Sequence, residues 1–141
     1  MKFDELVNGQ SVFLDANVLI YYFAIHPSFG PPCDYLVARI ENQELIGITS
    51  TSVLSEVAHH LMTFEAAVVF NWQSKVMQRL KRDPSSVQKL TKFREAIEKV
   101  PQLGIQVLTI PATLIASAAS ISQQTGLLSN DALIVAVMQA N

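Results

Sequence analysis

A single cysteine, Cys33, is all the thiol chemistry this chain has. It supports neither an intrachain disulfide nor a cysteine zinc site, which suits a reducing, cytoplasmic setting. Charge is scarce too: residues 100 to 130 contain no Asp, Glu, Lys or Arg. Pro101, Gly104, Pro111 and Gly126 interrupt that stretch, along with several Gln and Ser. A membrane span needs about 20 consecutive apolar residues, so buried α/β structure is expected there and no membrane partner. The first residues, Asp4 and Glu5 among them, do not have the layout of a signal peptide. Repeats, low-complexity tracts and a clear linker are lacking, so a single domain over 1–141 is expected. The formal net charge of −2 does not by itself advertise a nucleic-acid partner.

Apolar side chains are abundant. Half of the residues are hydrophobic, enough for a sizeable core. The basic residues are concentrated: Lys75, Arg79, Lys81, Arg82, Lys89, Lys92, Arg94 and Lys99 are eight of ten. Against Asp83, Glu95 and Glu98, they leave that window at +5. Such a stretch is either the solvated face of one or two helices or an electrostatic contact for phosphates.

Ser11-Val12-Phe13-Leu14-Asp15 reads as a buried strand, with an apolar helix over 16–25. The Pro- and Gly-rich run 26–32 is a breaker, and 33–42 suits a short helix. A second strand is expected at 44–49, with N-cap oxygens at Ser50, Thr51 and Ser52 for a helix over 53–63. Residues 65–99 have helical character with a break near Asp83-Pro84, where Ser85 or Ser86 could cap a second piece from Val87 to Val100. Residues 105–110 read as a third strand. Pro111 suits the first turn of a helix ending at Gly126, and Ser129 or Asn130 would cap a last apolar helix from Asp131 to Gln139. Strands separated by helices imply a parallel sheet covered on both faces.

Three acids stand out against that plan. Asp15 ends the first strand, Glu56 lies in the first turns of the helix after the second strand, and Asp131 opens the last helix. In a parallel sheet all three point toward the C-terminal edge, where open α/β sheets place their sites. Carboxylate oxygens suit hard cations such as Mg²⁺ or Mn²⁺, and such an ion can activate water against a phosphodiester. Each acid also has a structural explanation, since helix N-termini favour negative charge. Counting from Ser52 as N-cap, the capping-box position falls on Ser55, not Glu56. Asp15 follows a buried apolar run and needs a cation or donors.

Val12-Phe13-Leu14-Asp15-Ala16-Asn17-Val18-Leu19-Ile20 resembles the opening motif of PIN-domain ribonucleases, the family of the VapC toxins. Ser52-Val53-Leu54-Ser55-Glu56 is similar to the second motif of that family, and Leu127-Leu128-Ser129-Asn130-Asp131-Ala132-Leu133-Ile134 to its third. The resemblance covers nearly the whole chain. It implies a three-layer α/β/α fold around a parallel sheet and RNA cleavage dependent on Mg²⁺ or Mn²⁺. Asp15, Glu56 and Asp131 would be the metal carboxylates, with Asn17, Ser52 and Asn130 as supporting polar residues. It also implies RNA as substrate, a small antitoxin as possible partner, and RNA-backbone contacts from Lys75, Arg79, Arg82 and Lys89. Family members usually continue into another strand ending near a fourth acid. No Asp or Glu follows Asp131 here, so that strand is expected to be missing. The apolar last helix would then be covered by a partner or a homodimer.

Other readings compete. A PIN-like module that binds RNA or protein without cutting is one alternative. A haloacid-type phosphatase with Asp15 as nucleophile is another, although that scheme wants an Asp where Asn17 stands. His59 and His60 follow Glu56 at i+3 and i+4; a packed or surface pair is expected rather than a metal site. His26 is expected to be structural. Tyr21, Tyr22, Phe23, Phe29 and Trp72 could stack on bases, though such residues are more often core.

Overall fold

The computed structural model describes residues 5–141, so Asp4 lies outside the described residues. Three parallel strands form the sheet: β1 (Ser11–Phe13), β2 (Ile46–Ser50) and β3 (Gln106–Leu108). β2 lies between the other two, with Val12 opposite Gly47 and Thr49 opposite Val107.

Helices cover both faces. On one side α1 (Ala16–Ala24), α2 (Gly30–Glu41), α3 (Thr51–Val69) and α6 (Lys92–Lys99) enclose the main core, which includes Leu14, Leu19, Leu36, Val37 and Val57. On the other, α7 (Ala112–Thr125) and α8 (Ser129–Ala140) bury Ala118, Ala132, Leu133 and Val137 against Phe13 and Leu108. This is the expected α/β/α layering, and it leaves the apolar face of α8 mostly covered within the chain. Two short helices, α4 (Val76–Arg82) and α5 (Pro84–Gln88), and the turn after them pack Leu80 and Leu90 on Ala66 of α3 in a smaller third cluster.

The close approach of α2 to the sheet depends on Gly47. A Cβ there would lie 2.8 Å from Cδ1 of Ile40. At the opposite end of β2, Ser50 is buried and its Oγ accepts the Val53 N–H at 3.2 Å.

Several boundaries differ from expectation. α2 begins at Gly30 because Pro31 and Pro32 occupy its first turn, where no intrahelical N–H is needed. Ser50, not Ser52, is the N-cap of α3, and that helix runs on to Val69. Pro111 is the N-cap of α7 and not part of its first turn. Asp83, not Ser85 or Ser86, caps α5 by accepting the Ser85 N–H. The expected helix from Val87 to Val100 is two helices, since α6 starts afresh at Lys92. Glu65 explains the break: its carboxylate accepts the N–H groups of Thr91, Lys92 and Phe93 at 2.9, 3.1 and 3.0 Å. α8 begins at Ser129 with Leu128 as N-cap and no side-chain cap.

Candidate active site

β1 delivers Asp15 to the C-terminal edge of the sheet, and the residue then caps α1. Its Oδ1 accepts the Val18 N–H at 3.1 Å. Asp15 is held from behind as well. The Leu14 N–H donates to the Ile48 carbonyl at 2.8 Å, and the buried Thr49 hydroxyl donates to the Leu14 carbonyl at 2.9 Å. The end of β1 is thereby fixed to β2, while Oδ2 of Asp15 has no donor among the described residues.

Glu56 reaches the same edge from α3. Because the helix starts at Thr51, Glu56 is its sixth residue, beyond the first turn where the macrodipole would account for an acid. Its side chain is exposed. Asp131 comes from the first turn of α8 and is also exposed. An open cleft of about 490 Å³ joins them, lined by Asp15, Asn17, Glu56, Ser129, Asn130 and Asp131. Ser52 lies alongside, lining a smaller hollow that shares Glu56 and Asn130 with the cleft. The sequence motifs assign Ser129 no role in the site. Its place two residues before Asp131, inside the third motif, is the signal that could have found it.

The three acids share a cleft without forming a closed ligand cluster. Among the described residues, no three His, Cys, Asp or Glu side chains stand close enough to hold an ion by themselves. The donor chemistry still fits a hard cation: carboxylate oxygens lead, with amide and hydroxyl oxygens beside them. Mg²⁺ in particular is commonly bound through one or two carboxylates, with water completing its shell.

The buried Cys33 thiol is pushed above its ordinary value, chiefly by burial, then by Asp34 and Asp15. The thiol is thus held protonated, without the thiolate a nucleophile needs.

The basic residues are elsewhere. Lys75, Arg79, Arg82 and Lys89 belong to the α4–α5 segment, which packs on the second half of α3, and none lines the cleft. From Glu56 to the end of α3 at Val69 is about 20 Å along the axis. Arg79 lies over the Trp72 ring at 5.5 Å. His59 and His60 are exposed on α3 and stand edge to face. Nδ1 of His26 accepts two backbone N–H groups, from Ser28 and Phe29. No helix among the described residues is long and apolar enough to cross a membrane.

A family model described as PIN domain matches residues 12–141. No curated protein and no solved structure matches the chain.

Proposed function

We propose, for a chain that belongs to the PIN-domain family, hydrolysis of RNA phosphodiester bonds that depends on Mg²⁺ or Mn²⁺. The observation that supports this reading is the shared cleft. Asp15, Asn17, Glu56, Asn130 and Asp131 come from three helices and the end of a strand, far apart in the chain, and line one opening. When bound, a divalent ion supplies Lewis-acid stabilisation of charge on the scissile phosphate and acidifies water.

The chain's own residues do the rest. Asp15, Glu56 and Asp131 would hold the ion together with water, since the three carboxylates do not close around it by themselves among the described residues. The N–H groups at the uncapped start of α8 and the amide groups of Asn17 and Asn130 donate to phosphate oxygens. Ser52 and Ser129 add hydroxyl donors at the rim. A water oxygen then bonds to phosphorus in line, the bond to one ester oxygen breaks, and that oxygen leaves as a hydroxyl carrying a proton given up by the water. Lys75, Arg79, Arg82 and Lys89 meet the RNA backbone away from the cleft and add salt-dependent affinity without sequence choice.

In this reading the protein is the toxin of a toxin–antitoxin pair and works in the cytoplasm. A groove of about 440 Å³ between α1, α3 and α6 supports a small protein partner. Ile25, Phe64, Val68 and Val69, all well exposed, line it. Exposed Ile115 and Met138 on α7 and α8 support a homodimer.

The test is incubation of purified protein with RNA and Mn²⁺, beside Asp15→Asn. Asparagine also caps helices, so α1 survives the change. Cleavage by the unmodified protein alone is expected. Equal cleavage by both, or none by either, would overturn the catalytic reading. Tight RNA capture without cleavage would favour a binding module, which the open spacing of the acids also suits. Phosphate release from small esters without RNA cleavage would favour the phosphatase.

A further inference from the structure

The aromatic side chains singled out in the sequence have separate fates. Tyr22 and Phe23 pack against the main core. Trp72 stacks on Phe70 with ring centroids 4.7 Å apart, beneath Arg79. Phe29 alone among them is more than half exposed, at 54%.

It is nonetheless held in place. The His26 ring stacks on it, centroids 4.9 Å apart and planes 24° from parallel. Tyr21 meets both, at 5.0 Å from His26 and 5.2 Å from Phe29. The loop that presents these rings is pinned by its backbone. Nδ1 of His26 accepts the N–H groups of Ser28 and Phe29 at 3.1 and 3.0 Å. The His26 N–H donates to the Tyr21 carbonyl at 3.1 Å, and the Gly30 N–H to the His26 carbonyl at 2.8 Å. An exposed aromatic ring on a loop ordinarily loses rotamer and backbone freedom on binding; this one has little left to lose.

Its position relates it to the cleft. Tyr21 is four residues beyond Asn17 on α1, so the two are neighbours on the helix surface, and Asn17 lines the cleft. From Asn17 to the end of α1 at Ala24 is about 10 Å. That is roughly three nucleotides at the ~3.4 Å rise of a stacked strand.

We infer that Phe29, backed by His26 and Tyr21, is a stacking platform for an unpaired base of an RNA strand whose scissile phosphate lies in the Asp15–Glu56–Asp131 cleft. This rests on the ribonuclease reading above. The His26–Phe29 pair is a stack of two near-parallel rings, and a base adds a third π-face to it. Stacking of this kind tolerates any base, so the platform sets the direction and reach of the strand without choosing its sequence.

The experiment measures binding of a short, unstructured, fluorescein-labelled RNA to Asp15→Asn protein, which leaves the RNA intact. Adding Phe29→Leu is expected to weaken binding by about 5- to 100-fold, and adding Phe29→Trp to preserve it. Phe29 is exposed, so both variants should melt like the parent. Moving one abasic nucleotide along the RNA should reveal a position at which Phe29→Leu no longer matters. Equal affinity with and without the Phe29→Leu change would overturn the platform and leave the ribonuclease reading standing. A loss that Trp does not restore, or that persists at every abasic position, would also overturn it, since Phe29 would then only be shaping the loop. RNA that binds neither these proteins nor the unmodified protein would overturn the reading beneath it.

Discussion

The Thr49 hydroxyl donates to the Leu14 carbonyl at 2.9 Å, inside the protein and one residue before Asp15. It is the side-chain tie between the two strands whose ends open the cleft. Thr49→Val keeps the shape and removes the donor, leaving a buried carbonyl short of a partner. The expected cost is about 1–3 kcal/mol of stability, read by urea denaturation. RNA cleavage should fall by more than the unfolded fraction explains, because the end of β1 is freed to move. Thr49→Ser keeps the donor and should remain near the parent in cleavage.

Gly47 and Ile40 form a contact that leaves no room for a methyl group. Gly47→Ala puts a Cβ 2.8 Å from Cδ1 and 3.1 Å from Cγ2 of Ile40. Overpacking of this kind costs about 1–3 kcal/mol. Ile40→Val deletes Cδ1, so the double variant should be more stable than the sum of the single effects predicts. Simple additivity in denaturation would mean that α2 shifts to accept the methyl.

These contacts also mark what could be read beforehand. The strand-end position of Asp15 was legible because an apolar run stops there and helical spacing begins. The end of α7 was legible because Gly126 takes the left-handed conformation at φ +80, which favours glycine. The start of α2 was misread because Pro31 and Pro32 break a helix interior yet suit a first turn. The division between α5 and α6 was not legible, since it depends on a carboxylate 26 residues upstream of the first amide it caps. Nor did spacing along the chain reveal that Glu56 and Asp131 would share a cleft with Asp15 without closing around an ion. That depends on how α3 and α8 sit on opposite faces of the sheet.

Glu65 is the buried acid with a structural task. Its carboxylate accepts three successive N–H groups at the start of α6. Glu65→Ala removes a charged acceptor from three part-buried donors at once, at an expected cost of about 2–3 kcal/mol. Hydrogen exchange should show the loss first at Thr91, Lys92 and Phe93, with β1 and β2 protected as before. Glu65→Gln keeps oxygen acceptance but loses the charge, and should fall between parent and Ala.

Cys33 offers a reading of fold and pH together. Its side chain is 2% exposed, and burial, Asp34 and Asp15 raise its thiol above the ordinary 9.0. The native protein should therefore resist thiol reagents at pH 8 and react fully once unfolded. The same shift makes stability depend on pH in one direction. Below pH 9 both folded and unfolded chains keep the proton, and the contribution is constant. Above 9 the unfolded chain releases a proton that the folded chain retains, so stability falls as pH rises toward the folded value. Cys33→Ala should flatten that alkaline decline in a denaturation series, at the separate cost of a small cavity. A thiol that reacts quickly at pH 8 without unfolding would show that α2 opens readily from the core.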